Sequence, residues 1–195
     1  PNTVSAAPSS TTVEVVAVKN AALIVSNTLV SFFAPKIQGL RGVATPTCPA
    51  DGVSREMTVP RAEPCVGNLQ LGGKRTIRRD GQIGGVQIAL VRADHSNSVD
   101  PALLVGSEKG GLSVDGLTAY VGEANGYVLT FTNGLRVYLS GDTAIYGDMR
   151  TIIRDFYRVN LAVMNMGAFA MQGEEAAYAV DELIQPTGVI PSHVN

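Results

Sequence analysis

The chain has 195 residues, 45% of them hydrophobic and 16% charged, with a formal net charge of -2. That length and composition suit a single globular domain with a sizeable core. The slight acidity gives no electrostatic grip on a phosphate backbone, so nucleic acid is not an expected partner. The longest apolar stretch, Ala21 to Pro35, is broken by Ser26, Asn27, Thr28 and Ser31, short of the roughly 20 apolar residues a membrane span needs.

In chain order, residues 1–11 are rich in Ser, Thr, Pro and Ala and predict a loop. The opening Pro1-Asn2 carries neither an initiator methionine nor a signal sequence, so further sequence is expected upstream. Thr12 to Asn20 predicts a helix and Ala21 to Val25 a short buried strand. Asn27 or Thr28 then caps a second helix through Leu29, Phe32 and Phe33 to about Gln38. Residues 39–80, rich in Gly, Pro and charge, are expected to be mostly irregular loop within the one domain. Cys48 and Cys65 bracket a proline-rich part of it and are expected to be bridged rather than to stand as two unpaired thiols. Such a bridge contributes about 3 kcal/mol in the chain-entropy model and would imply an exported setting, periplasmic or secreted.

Val86 to Val91 predicts a strand that runs into Ala93-Asp94-His95-Ser96. After a glycine-rich insertion from Gly106 to Gly116, Tyr127–Phe131 and Leu135–Leu139 flank Thr132-Asn133-Gly134, a strong hairpin signal. The second arm delivers Ser140-Gly141-Asp142-Thr143. Helix (Asp148–Tyr157), strand (Leu161–Met164), helix (Gly173–Ile184) and strand (Thr187–Ile190) follow, an alternation that predicts parallel pairing. The chain has only two histidines, His95 and His193, and both fall at strand ends, where open α/β sheets build their sites. A carboxylate with two imidazoles suits a zinc-type ion.

These runs resemble the metallo-β-lactamase superfamily of metal-dependent hydrolases, most nearly the branch with ascorbate-6-phosphate lactonase. Ala93-Asp94-His95-Ser96 is similar to that branch's A-x-H-S, and Ser140-Gly141-Asp142-Thr143 with Gly147-Asp148-Met149 to its GDT and GDM segment. Met171 with Glu174-Glu175-Ala176-Ala177 resembles its M-G-P-E-E-A-A, and Ile190-Pro191-Ser192-His193-Val194-Asn195 its I-P-x-H-Y-N. The resemblance covers about Gly84 to Asn195. It implies an αββα sandwich, expected to be incomplete here, and an enzyme using a metal-activated water on an ester, lactone, amide or phosphodiester bond. Two zinc ions, or other divalent metals, are implied as cofactors, with His95 on the first, Asp142 bridging both and His193 on the second. Thr143 is expected to bond the loop or orient Asp142. Asp142 could otherwise cap the next helix or make an Asx-turn. Asp94 is turned away by strand alternation, and Glu174 and Glu175 suit the first turn of a helix by its dipole. Tyr146 and Phe169 belong to the pocket wall or the core, and the Cys48–Cys65 loop and the insertion from Leu103 to Val121 to the substrate-facing loops.

The superfamily's histidine-rich H-x-H-x-D-H turn has no counterpart among two histidines, and Ala168 stands where a histidine is often found. The expected partner is therefore a missing N-terminal portion or companion chain bearing that turn, beside a small-molecule substrate. Self-association into a homo-oligomer is also expected. The alternative is a non-catalytic binding or structural module of the same fold that has lost its metal turn.

Overall fold

The computed structural model describes residues 10–50, 56–99, 119–120, 122–167 and 170–194. Helix α1 (Ser10–Lys19) ends where Asn20 takes a left-handed conformation, φ 50°, a position that asparagine tolerates. Strand β1 (Ala22–Ser26) and helix α2 (Asn27–Arg41) follow, the latter stopped by Gly42 at φ 70°. Next come β2 (Glu56–Val59), β3 (Cys65–Leu69), β4 (Lys74–Arg79) and β5 (Val86–Arg92). The two-residue strands β6 (Ser98–Val99) and β7 (Ala119–Tyr120) pair with each other. The predicted hairpin is formed by β8 (Asn125–Thr130) and β9 (Arg136–Leu139), its turn closed by the Gly134 N–H on the Phe131 carbonyl, 3.1 Å.

The predicted alternation then holds: a π-helical segment Met149–Phe156, β10 (Leu161–Asn165), helix α3 (Gly173–Tyr178) continuing in π winding through Ala179–Ile184, and β11 (Gly188–Ser192). Strands β9, β10 and β11 are parallel. Seven strands form one sheet in the order β11-β10-β9-β8-β5-β4-β2, and β1 pairs in parallel with β3 in a second. Because β8 is antiparallel to both β5 and β9, the C-terminal ends of β5, β9, β10 and β11 share one edge. The start of β4, antiparallel to β5, lies at that edge too.

Three apolar clusters hold four layers together. Val13 and Val16 of α1 and Phe33 and Ile37 of α2 pack on Val25 and Val66 of the small sheet. Met57, Val59, Cys48 and Cys65 pack with Ala22, Ile24 and Ile77 between the two sheets. Tyr138, Met149, Ile153, Met164, Ala176 and Ile184 pack between the large sheet and the second pair of helices. Burial of each large side chain stabilises by roughly 1.5–3 kcal/mol. The Tyr127 hydroxyl spans the sheets and donates to the Ile24 carbonyl at 3.1 Å. The layering is the expected αββα sandwich. Strand β1 has apolar neighbours on both faces, which is why it reads as an unbroken apolar run.

The expectation of irregular loop over residues 39–80 is corrected, since β2, β3 and β4 lie within it. The signal is hidden because β4 (Lys-Arg-Thr-Ile-Arg-Arg) turns only Ile77 to the inter-sheet cluster. Thr76 and Arg78 lie across from Glu56 and Thr58 of β2, on the opposite, polar face. Cys48 and Cys65 are joined, with a Cα–Cα distance of 4.9 Å.

Candidate metal centre

His95, Asp142 and His193 follow β5, β9 and β11 and meet beyond the shared sheet edge. The Asp142 carboxylate faces an imidazole with each oxygen: Oδ1 lies 2.7 Å from His193 Nδ1 and Oδ2 lies 3.7 Å from His95 Nε2. All three side chains are part-exposed, at 32%, 30% and 46% for His95, Asp142 and His193, so the cluster is open to a ligand. His95 Nδ1 meets the Ser96 carbonyl at 2.8 Å, and this partner assigns the proton to Nδ1 and leaves the Nε2 lone pair free. By the same argument the contact of His193 Nδ1 with Asp142 leaves its Nε2 as a lone-pair donor.

The supporting loops explain the approach. Gly141 takes φ 62°, and a Cβ there would come within 2.8 Å of the Asn125 carbonyl oxygen. Buried Thr143 accepts the Asp94 N–H at 2.9 Å and donates to the Ala144 carbonyl, while the Ala144 N–H returns to the Asp94 carbonyl at 2.8 Å. Thr143 therefore laces the loop of Asp142 to the loop of His95. Neither helix capping nor an Asx-turn engages Asp142. Asp94 points to Arg92, 4.0 Å away, outside the trio. Glu175 accepts the Gln172 N–H at 2.7 Å at the start of α3, a helix-end role.

Three supporting residues escape sequence reasoning. Ser140 and Asn165 are buried polar residues at the ends of β9 and β10, and the Asn165 N–H donates to Ser140 Oγ at 3.0 Å. The Asn165 amide also reaches the Thr143 carbonyl, 3.3 Å. Gly167 lies under His193, whose φ is 53°. The available signal is a polar residue closing an apolar strand, Leu-Ala-Val-Met-Asn, two residues before a glycine.

Tyr146 donates to the Arg92 carbonyl at 2.5 Å and meets the Tyr138 hydroxyl at 3.2 Å. It also lines a hollow of about 430 Å³ with Leu71, Val91, Ile152, Phe156 and Tyr157. Burial pushes its phenol above the ordinary tyrosine range, against a hydrogen bond from Tyr138 that lowers it. Tyr138 is pushed well above that range, first by burial and then by Tyr146. Ala168, Phe169 and all of the insertion Leu103–Val121 except residues 119–120 lie outside the described residues.

Two imidazole Nε2 lone pairs and a carboxylate fit a divalent ion in kind. They fall short in number, and among the described residues no group of three or more His, Cys, Asp or Glu side chains is spaced to hold an ion.

No protein-family model matches the chain. It is similar to curated metal-dependent hydrolases. It is 36% identical over 110 residues to one from Cupriavidus taiwanensis, covering 56% of this chain and 36% of that protein. It is 35% identical over 113 residues to one from Rubrobacter xylanophilus, covering 57% and 41%. With one from Methanosarcina mazei the values are 36% over 115 residues, covering 58% and 43%. The aligned part thus spans about two-fifths of those relatives. Among solved structures, Igni18, a metallo hydrolase from the hyperthermophilic archaeon Ignicoccus hospitalis, superposes with a TM-score of 0.59 at 21% identity, covering 94% of this chain and 57% of that one. The fold is that of a metallo-hydrolase of metallo-β-lactamase type. The resemblance to that superfamily carried by the four short motifs holds.

Proposed function

We propose that this chain supplies the carboxylate-and-imidazole side of the metal centre of a hydrolase. The observation that carries it is the Asp142 carboxylate turned to His193 with one oxygen and to His95 with the other. Asp142, His95 and His193 would hold the metal, with the remaining donors coming from a histidine-rich turn outside this sequence. A bound divalent ion, zinc being the one this donor set suits, supplies an activated water and polarises the bond under attack. Asp142 contributes the negative charge that balances the cation, and its contacts aim both rings. Thr143 and Asn165 hold the Asp142 loop in register, and the part-exposed rims of the two histidines leave room for a small substrate. An ester, lactone, amide or phosphodiester bond meets these requirements. The Cys48–Cys65 bridge favours an exported, oxidising location, periplasmic or secreted.

Elemental analysis of Asp142→Asn tests the assignment, because the change keeps the shape and removes the charge. Metal content should fall with it. Full metal loading in this variant would overturn the role given to Asp142, and absence of metal from the wild-type protein would move the non-catalytic binding module, which the shortage of donors favours, to the front.

A further inference from the structure

The hollow of about 430 Å³ beside Tyr146 lies on the helix-covered face of the large sheet, behind the edge that carries the metal centre. Its floor is Val91 of β5. One wall is Leu71, in the turn after β3, and the other is Ile152 and Phe156, four residues apart on the π-helical segment. Phe156 is 65% exposed, and its ring stands edge-to-face with that of Tyr157, centroids 4.9 Å apart and planes at 81°. Sites for small ligands enclose about 300–1,000 Å³ and are mostly apolar with a few polar groups. This hollow meets both conditions.

The polar groups decide what it takes. The Tyr146 hydroxyl is already engaged, donating to the Arg92 carbonyl and meeting the Tyr138 hydroxyl. Arg92 also borders the hollow, but it follows Val91 along β5. Strand alternation therefore turns its side chain to the opposite face, where the guanidinium lies 4.0 Å from Asp94. Asp148 is the one carboxylate in the lining. It stands at the N-cap position of the π-helical segment yet caps no backbone N–H. Its one hydrogen bond among the described residues comes from the Thr151 hydroxyl to Oδ1, at a long 3.4 Å. A carboxylate with an oxygen to spare, beside two aromatic rings and an aliphatic floor, is complementary to an organic cation. The carboxylate takes charge-assisted hydrogen bonds from an ammonium group, the ring faces attract the same charge, and the apolar walls cover hydrocarbon.

We propose that this hollow binds a small alkyl- or arylalkylammonium ion, with the ammonium on Asp148 and the hydrocarbon against Val91, Ile152 and Phe156. The site is separate from the metal centre and does not rest on the hydrolase function proposed above.

Ligand-observed NMR titration of the full chain with phenethylammonium, phenethyl alcohol and phenylacetate, three compounds of similar size, reads the site without metal or turnover. Saturable binding is expected for the ammonium, about tenfold weaker binding for the alcohol, and none for phenylacetate. Asp148→Asn should bring the ammonium down to the level of the alcohol and leave the alcohol where it was. Phe156→Ala should weaken both several-fold, and Asp155→Asn, outside the lining, should change neither. Circular dichroism establishes that each variant is folded. Phenylacetate binding equal to that of the ammonium, or an undiminished preference for the ammonium in folded Asp148→Asn, would overturn the proposal. Ammonium binding that survives in Asp142→Asn supports a site separate from the metal centre, whereas its loss there overturns that separateness.

Discussion

Gly167 lies directly beneath His193. A Cβ at this glycine would come within 2.7 Å of the His193 carbonyl oxygen and 3.0 Å of its Nδ1. The contact explains why the ring can sit on Asp142 while its backbone holds φ 53°, a conformation that non-glycine residues adopt at some cost. Gly167→Ala should therefore displace the imidazole while leaving the strands in place. Metal affinity should fall about 10–100-fold, as for other groups that orient a ligand, with little change in the melting temperature. Metal titration beside a thermal melt separates the two, and unchanged affinity would mean that His193 does not depend on this contact.

Thr143 ties two ligand loops together through its hydroxyl, so Thr143→Val, which keeps the volume, should lower metal affinity about 10–100-fold. Thr143→Ser should keep most of it. Equal affinity in wild type and the valine variant would show that the lacing of Asp94 to Ala144 is held by the backbone alone. His193→Ala and His95→Ala should each deplete metal further, and elemental analysis reads each loss.

Tyr138 and Tyr146 give the fold a defined alkaline limit. Burial keeps the Tyr138 proton on well above the ordinary tyrosine range, whereas the unfolded chain releases it near pH 10. The stabilisation is complete below about pH 10 and falls as pH rises beyond it, by up to about 1.4 kcal/mol per pH unit per group. Urea midpoints measured from pH 8 to 11 should drop above pH 10. Tyr138→Phe should flatten that drop while losing about 1 kcal/mol at neutral pH from the lost bond to Tyr146.

Reduction of the Cys48–Cys65 bridge should destabilise the inter-sheet layer by about 3 kcal/mol, because both cysteines are buried there with Met57 and Val59. Mass spectrometry of unreduced protein should recover the two cysteine peptides linked. Recovery of both as free thiols would remove the argument for an exported location.

Strand β1 pairs with β3 on one side and meets no strand on the other among the described residues, although apolar neighbours cover both of its faces. An open edge on so apolar a strand recruits another chain. Residues 1–195 produced alone should self-associate at micromolar concentration in sedimentation experiments. A monomeric, cooperatively melting species would contradict this.

What the sequence made legible follows from how locally each feature is encoded. The hairpin at Asn133-Gly134 and the helix–strand alternation after Asp148 depend on turn chemistry and on apolar periods within a few residues, and both stand in the structure. Strand β4 did not announce itself, because charged residues stand on both of its faces and only Ile77 is committed to the inter-sheet cluster. The three ligand candidates could be placed at strand ends from their flanks, yet their convergence on Asp142 depends on β8 and β10 as spacers. Asn165 and Gly167 were missed for a related reason: each matters only through a partner about 25 residues distant.

The three side chains of the centre arrive on alternate strands, β5, β9 and β11, with β8 and β10 between them. Two strand widths, about 9.6 Å, separate each donor strand from the next, so the short loops after the strands must draw the donors together. A slip of one residue in either spacer pairing would turn every neighbouring side chain to the opposite face and scatter the donors in a single step. Variation in such a centre is therefore confined to loop length and loop composition, and anyone transplanting it to another protein must carry five strands in fixed register to move three side chains.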